Sequence, residues 1–327
     1  MIRFDFYIKT IGLTIAYMLI ISMLDAQSMQ WANTRIGDNT ITTTDLRTDN
    51  WGNIYQTGYF FNSVDFDPNA GLDIIDAGSI NGNPNTYSSY ISKVDAAGNH
   101  VWAKAFLPYS YDAIANGTSL DVDGNGNVFV AGHFQETVDF NPGPGIDTLY
   151  AAYTPFGQKS YFTKLDSNGI FNWVKTLSGN YAITAIKIDA ANNILIEGVY
   201  SGTVDFDPGA GVTLLTTAYS SSLFLLKLDN NGDFLWVKQW ENSTQYSTIS
   251  SHILDIDQSN HIYISGNFVN ANPLDIDPGA ATYNVTGKGF IVKMNAAGDF
   301  IWGGSNTANN TLIHLDHTGN LITSGSY

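Results

Sequence analysis

A short pattern, Asp or Asn followed by two variable residues and then Gly or Asn, recurs nine times and constrains this chain more than any other feature. It comes in two alternating versions. The first opens at Asp49, Asp123, Asp189, Asp257 and Asp316, the second at Asp95, Asp166, Asp229 and Asn295. Copies of one version lie 59 to 74 residues apart, so the chain is one unit written in tandem. A tandem unit fixes the architecture before any single residue is read.

Each copy sits between two runs of strand-forming residues. The clearest is Leu165-Asp166-Ser167-Asn168-Gly169, between Tyr161-Phe162-Thr163-Lys164 and Phe171-Asn172-Trp173-Val174. The leading Asp accepts bonds from amides just ahead of it and starts a turn. The closing residue must tolerate positive φ, and seven of the nine closers are Gly, with Asn192 and Asn260 as the other two. A calcium-loop reading of Asp121-Val122-Asp123-Gly124-Asn125-Gly126 fails, because position twelve would be Gly132 and not a bidentate Glu.

Two hairpins per unit give four strands, a to d. In the second unit these are predicted at 118–123, 127–134, 160–166 and 170–177. Strand b ends in a recurring Gly (Gly58, Gly132, Gly198, Gly266 and Gly325), and strand c places an aromatic three residues before a Lys (Tyr90/Lys93, Tyr161/Lys164, Phe224/Lys227 and Phe290/Lys293). Strand d carries Trp102, Trp173, Trp236 and Trp302, which read as packing between units. Four-stranded units cannot each bury both faces alone, whereas a radial stack covers each unit with its neighbour. The predicted fold is therefore all-β, a β-propeller of four-stranded antiparallel blades, with a linear solenoid as the rival. Four complete blades are placed at 38–106, 116–177, 182–240 and 250–304, a partial blade at 309–327, and a closing strand at 29–35 around Trp31.

The run Gly126-Asn127-Val128-Phe129-Val130-Ala131-Gly132, followed by Tyr161 to Gly169, resembles the bacterial SBBP (seven-bladed β-propeller) repeat, over essentially 31–327. Val204-Asp205-Phe206-Asp207-Pro208-Gly209 is similar to a variant of that repeat found in secreted bacterial proteins. The resemblance implies a secreted or cell-surface propeller of undefined activity.

Arg3 and Lys9 precede an apolar run at 11–24, and Ala26-Gln27 is a plausible cleavage point, so residues 1–26 read as a secretory signal peptide, with a membrane anchor as the alternative. The final hairpin lacks strands c and d, which reads as a fragment of a longer reading frame. With no Cys, there is neither a lipoprotein attachment nor a disulfide.

The net charge of −16 argues against nucleic acid as a partner. Only Glu136, Glu197 and Glu241 among 30 acidic residues are Glu, so the charge is largely a by-product of Asp-based turns. The lysines of strand c, with Lys104, Lys175 and Lys238 on strand d, are expected to lay their stems on a neighbouring face and pair with a repeated Asp.

The candidate metal site is the Asp-x-Asp-Pro motif after strand b: Asp65 and Asp67, Asp205 and Asp207, Asp275 and Asp277, with Asp139-Phe140-Asn141-Pro142 departing from it. Paired carboxylates and backbone carbonyls suit Ca2+, the one cofactor considered. The competing reading has them capping turns and pairing with the strand-c lysines, while Phe or Ile plugs the blade. Less regular aromatics (Tyr87, Tyr90, Tyr109, Tyr111, Tyr150, Tyr153, Phe156, Tyr181, Tyr200 and Tyr219) are candidates for stacking on sugars. The b-to-c connections vary most, the positions where specificity usually sits. The six histidines occupy different repeat positions, and no nucleophile elbow or phosphate loop is present, so no catalytic residue is assigned.

The functional expectation is a secreted, non-enzymatic binding or display scaffold for a surface protein or glycan, with no nucleic acid partner and no membrane insertion after signal cleavage. A carbohydrate-active lyase or hydrolase with an acidic axial site, and a structural spacer, are the alternatives.

Overall fold

The structure, a computed structural model, describes residues 36–37, 41–67, 69, 71–78, 86–152, 158–218, 221–241, 248–269, 273–306, 309–315 and 321–326. The predicted signal peptide and closing strand lie outside them. Every regular element among the described residues is a β-strand.

After β1 (Ile36–Gly37), sheet 1 uses β2 (Ile41–Thr48) and β3 (Ile54–Phe60), then a side hairpin of β4 (Ser63–Asp65) and β5 (Ile74–Asp76), then β6 (Ser88–Val94) and β7 (His100–Pro108). Sheet 2 repeats this with β8 (Ile114–Val122), β9 (Val128–Asp139), β10 (Thr148–Ala151), β11 (Lys159–Leu165) and β12 (Phe171–Lys175). Sheet 3 comprises β13 (Ser178–Ile188), β14 (Ile194–Asp205), β15 (Leu214–Thr216), β16 (Ser222–Leu228) and β17 (Phe234–Glu241). Sheet 4 comprises β18 (Thr248–Ile256), β19 (Ile262–Val269), β22 (Gly289–Met294) and β23 (Phe300–Asn306), and between β19 and β22 the strands β20 (Leu274–Asp275) and β21 (Asn284–Val285) pair with each other as a separate two-stranded sheet. A two-stranded sheet follows, β24 (Asn309–Leu315) and β25 (Leu321–Ser326). Sheets 1 to 4 each pair their four principal strands antiparallel in chain order.

The turns form as their chemistry requires. In the a–b turn of sheet 2, Asp123 Oδ1 accepts the amides of Asn125 and Asn127, both at 2.9 Å, and Gly126 N closes on Asp123 O at 2.9 Å. The closers take left-handed backbone, φ 81° at Gly126 and 63° at Asn192, where a β-branched residue would be strained.

The strand-b Gly and the strand-c aromatic are one feature. Gly132 stands opposite Tyr161, Gly198 opposite Phe224 and Gly266 opposite Phe290. A Cβ on Gly198 would lie 2.1 Å from the Ala182 carbonyl oxygen and 2.8 Å from the Phe224 ring. Glycine lets strands a and b close together and leaves its own space to the ring across from it.

Successive sheets pack face on face. One apolar cluster joins Tyr55, Ile91, Trp102 and Phe106 of sheet 1 to Leu120, Phe134, Phe140 and Tyr161 of sheet 2. A second joins Phe129 and Phe162 to Ile186, Phe206 and Phe224, and a third joins Leu195, Leu223 and Trp240 to Ile264, Ile276 and Phe290. The first strands of neighbouring sheets are also bonded: Asp45 Oδ2 accepts Leu120 N at 2.9 Å, Ser119 Oγ accepts Ile186 N at 3.2 Å, and Asp121 Oδ2 accepts Ile188 N at 2.7 Å.

Candidate functional site

The b-to-c connections were read as variable loops, and here the structure differs. Strand b runs on past its Gly (β9 extends to Asp139), and the connection folds into the side hairpins β4–β5, β9–β10, β14–β15 and β20–β21. The hairpin base also pairs with the segment that enters its own sheet: Ile36 opposite Asp65, Leu107 opposite Asp139, and Ser178 opposite Asp205. These partners are far apart in sequence, so no local pattern announces them.

The Asp-x-Asp-Pro motif builds the hairpin's bend. Asp65 Oδ1 accepts the amides of Asp67 and Asp73, both at 3.0 Å. Asp205 Oδ1 accepts Asp207 N at 3.1 Å and Thr213 N at 2.8 Å, and Asp275 Oδ1 accepts Asp277 N at 3.1 Å and Tyr283 N at 2.8 Å. The second acids cap the next amides: Asp67 to Asn69, Asp207 to Gly209 and Asp277 to Gly279, at 2.7–2.8 Å. In the divergent copy, Asn141 Oδ1 accepts Gly143 N at 2.9 Å, so a neutral amide oxygen performs the same task. The intervening Phe66, Phe140, Phe206 and Ile276 are fully buried plugs. Among the described residues no group of three His, Cys, Asp or Glu side chains is arranged to hold a metal ion.

The lysines pair elsewhere than with this motif. Lys227 Nζ lies 2.8 Å from Asp189, both buried, and Lys293 Nζ lies 3.6 Å from Asp257, so the acids involved belong to the a–b turns. Burial works against the charge of Asp189, but bonds from Lys227 and Asn193 hold its carboxyl below the usual range. The ammonium groups lie over aromatic rings, Lys93 Nζ over Tyr55 at 5.0 Å and Lys164 Nζ over Phe129 at 5.3 Å from the ring centroid. Lys164 Nζ also contacts the side-chain oxygen of Asn230.

The first strands carry a row of alternating charge two residues before the turn Asp: Arg47, Asp121, Lys187 and Asp255. Arg47 approaches Asp121 at 4.0 Å and Lys187 approaches Asp255 at 3.6 Å. Burial pushes the Asp121 carboxyl up, against the attraction of Lys187 and Arg47. Opposite charges here serve each other and join neighbouring sheets. The three histidines whose side chains are described have separate partners: His100 bonds Asp73, His133 bonds Ser160, and His261 bonds Asp257.

The aromatic candidates divide. Tyr90, Tyr181 and Tyr200 are buried, Tyr87 is half-buried, Tyr109, Tyr111 and Tyr150 are exposed, and Tyr153, Phe156 and Tyr219 lie outside the described residues. Of the exposed apolar residues on the side hairpins, Tyr150 was singled out in the sequence and the aliphatic ones were missed. Leu72 and Ile74, Ile146 and Tyr150, and Val212 and Leu214 are each 59–78 % exposed, two per hairpin, while the plug beneath them is buried. Their signal is an apolar residue seven positions after the first Asp of the motif, present as Leu72, Ile146 and Val212 and replaced by Thr282 in sheet 4. Chemically, the arrangement offers a rigid acidic rim with apolar tips, a surface for contact.

No known family model matches the chain. It is similar to the uncharacterized WD repeat-containing protein L264 of Acanthamoeba polyphaga mimivirus, 30% identical over 211 residues, 58% of this chain and 14% of that protein. The chain thus spans a small part of the length of that relative. A solved protein of unknown function from Bacteroides caccae covers 65% of this chain and 89% of its own, at 9% identity and a TM-score of 0.21, too low to bear on the fold.

Proposed function

We propose that this chain is part of a β-propeller that acts as a non-enzymatic binding scaffold, with the side hairpins as its contact surface. Three features support the propeller: four-stranded meanders packed face on face, first strands of neighbouring sheets bonded side by side, and similarity to a protein named for its WD repeats, a propeller repeat. The observation that carries the binding role is the row of paired apolar tips on Asp-capped bases. Exposed aliphatic residues recurring at one hairpin position make a patterned surface, and such patches on rigid supports mark contact sites.

The partner proposed is a protein or glycan outside the cell, since Arg3, Lys9 and the apolar run at 11–24 fit export and the SBBP-like repeats fit a surface protein. The test is a screen of glycans and of exported proteins with the intact chain and with the triple variant L72S/I146S/V212S. Hits lost in the variant at unchanged thermal stability support the reading. Hits that survive it move the contact surface elsewhere, and an absence of hits leaves a spacer.

A further inference from the structure

The side hairpins of sheets 1 to 3 each have an open outer edge. β5 pairs with β4, β10 with β9 and β15 with β14, and none of the three pairs with a second strand among the described residues. The register fixes what each edge offers. Phe66 N donates to Asp73 O, Phe140 N to Asp147 O and Phe206 N to Thr213 O, each at 2.9 Å. Bonding alternates along an antiparallel strand, so the next residue, and the one two further on, turn their amides and carbonyls outward. These are Ile74 and Asp76, Thr148 and Tyr150, and Leu214 and Thr216. Their side chains are exposed as well, whereas Ile75, Leu149 and Leu215 between them pack against the core.

These edges lack the usual protection. Edge strands commonly carry a Lys, a Pro or a bulge that keeps a second chain off. The runs 72–77, 146–151 and 212–217 hold no Lys and no Pro, and their pairing has no register shift. Their charge is one-sided: 61–78, 135–152 and 201–218 carry four, three and two acidic residues and no Lys or Arg. This chain cannot answer that charge itself. Its 14 Lys and Arg residues never stand closer than five positions apart, and a second copy would bring the same acids to the edge. Sheet 4 supplies a contrast, with Thr282, Asn284 and Thr286 where sheet 3 has Val212, Leu214 and Thr216.

We propose that the outer edges of β5, β10 and β15 take up, by strand addition, an extended segment of another protein in which Lys or Arg alternates with apolar residues. The proposal rests on the reading of the side hairpins as the contact surface and names the class of partner. The segment's backbone bonds the outward amides and carbonyls, which gives a hold independent of sequence. Its apolar side chains lie beside Ile74, Tyr150 or Leu214 as cross-strand neighbours. Its basic side chains face the acids of the hairpin, and this charge match selects the segment over neutral or acidic ones. Each edge strand is only three or four residues long, so backbone bonds alone give a weak hold and the charge supplies the rest.

The test titrates the intact protein with an acetylated, amidated heptapeptide of alternating Lys and Val, and follows binding heat and hydrogen exchange. Saturable binding is expected, with slowed exchange at the amides of Ile74, Thr148 and Leu214 and no change at Asn284. The same peptide with every backbone amide N-methylated keeps its charge and side chains but loses its donors, and its affinity should fall about tenfold or more. A similar fall is expected in I74P/T148P/L214P, because Pro removes an outward N–H and leaves the bonds within the hairpin. An unchanged unfolding midpoint confirms that this variant folds, and the N-methylated peptide carries the test without any variant. Absence of binding, or binding that survives N-methylation, overturns the proposal. Dimers of the chain that the proline variant abolishes also overturn it, in favour of a second copy as occupant. Partners from the earlier screen that are lost in L72S/I146S/V212S but kept in I74P/T148P/L214P overturn strand addition alone and leave the hairpins as the contact surface.

Discussion

Aspartate builds both ends of sheets 1 to 4, yet the two ends do different work. At the turn end, Asp49, Asp123, Asp189 and Asp257 cap tight turns, and the pairs formed there are partly or fully buried, as with Lys227 and Asp189. At the side-hairpin end, Asp65, Asp139, Asp205 and Asp275 cap longer bends in the same way, but the residues beyond them turn apolar side chains to solvent. The turn end repeats because every copy must fit a neighbouring sheet. The hairpin end keeps only its base constant, and its tips are free to differ.

The largest effect that can break this comparison lies within one hairpin. Phe206 is buried against Tyr200 and Phe224, with ring centroids 5.2 and 4.9 Å away. F206A should cost about 3–5 kcal/mol by losing apolar burial and leaving a cavity. V212S, six residues on, should stay within about 0.5 kcal/mol. Denaturant unfolding midpoints compare them, and similar losses would mean that the tip belongs to the core.

The turn end can be tested through its lysines. Lys227 and Asp189 are buried together, so K227M strands a charge and should cost about 2–3 kcal/mol. Lys175 pairs with Asp233, whose side chain is mostly exposed, and K175M should cost less than about 1 kcal/mol. Equal losses would show that the lysine-to-carbonyl bonds, which Lys227 makes to Ala296 and Lys175 to Gly232, matter more than the ion pairs.

Much of the turn end was legible in the sequence. The need for positive φ selects Gly or Asn at a fixed offset from Asp, and the strand pairings follow from those turns, so 160–166 was placed to within a residue of β11. The link between Gly198 and Phe224 was not, because nothing in a one-dimensional pattern says that one residue is small to seat another 26 positions later. The side hairpin was missed for a related reason. Its bend spans eight residues between Asp205 and Thr213, with capping by a single carboxylate, and no tight-turn signature covers that length. Its pairing with Ser178 closes over a still longer distance.

Acid titration gives a smaller effect with opposite signs at two sites. Despite burial, the carboxyls of Asp189 and Asp257 are held below the usual range by hydrogen bonds, in Asp189 from Lys227 and Asn193. Their contribution is complete above the unfolded carboxylate value of about 4 and is lost as pH falls through the lower folded values. Asp121 is raised by burial, so its protonation favours the fold and partly offsets that loss. D189N should therefore flatten the acid limb of a stability-versus-pH curve, and D121N should steepen it. A change of the same sign in both would contradict the two environments.

The smallest expected effect concerns the hairpin bases and Ca2+. Asp65, Asp67, Asp205, Asp207, Asp275 and Asp277 are acidic enough to suggest a cation, but each spends its Oδ1 on backbone amides of its own bend. Asn141 fills the second position in sheet 2 with the same bond and no charge, so the bend does not depend on charge there. A chelator should accordingly leave the melting temperature within about 1 °C, because a ligand that does not bind the folded state cannot shift its stability. D207N should do the same, since the amide oxygen of Asn can still cap Gly209, while D207A should lower stability by about 1 kcal/mol through loss of that cap. A chelator-sensitive melt abolished by D207N would place a cation on the hairpins and make the contact surface metal-dependent. If chelator and D207N leave the melt unmoved while D207A lowers it, the second aspartates are doing at the hairpins what the turn aspartates do at the other end of the sheet.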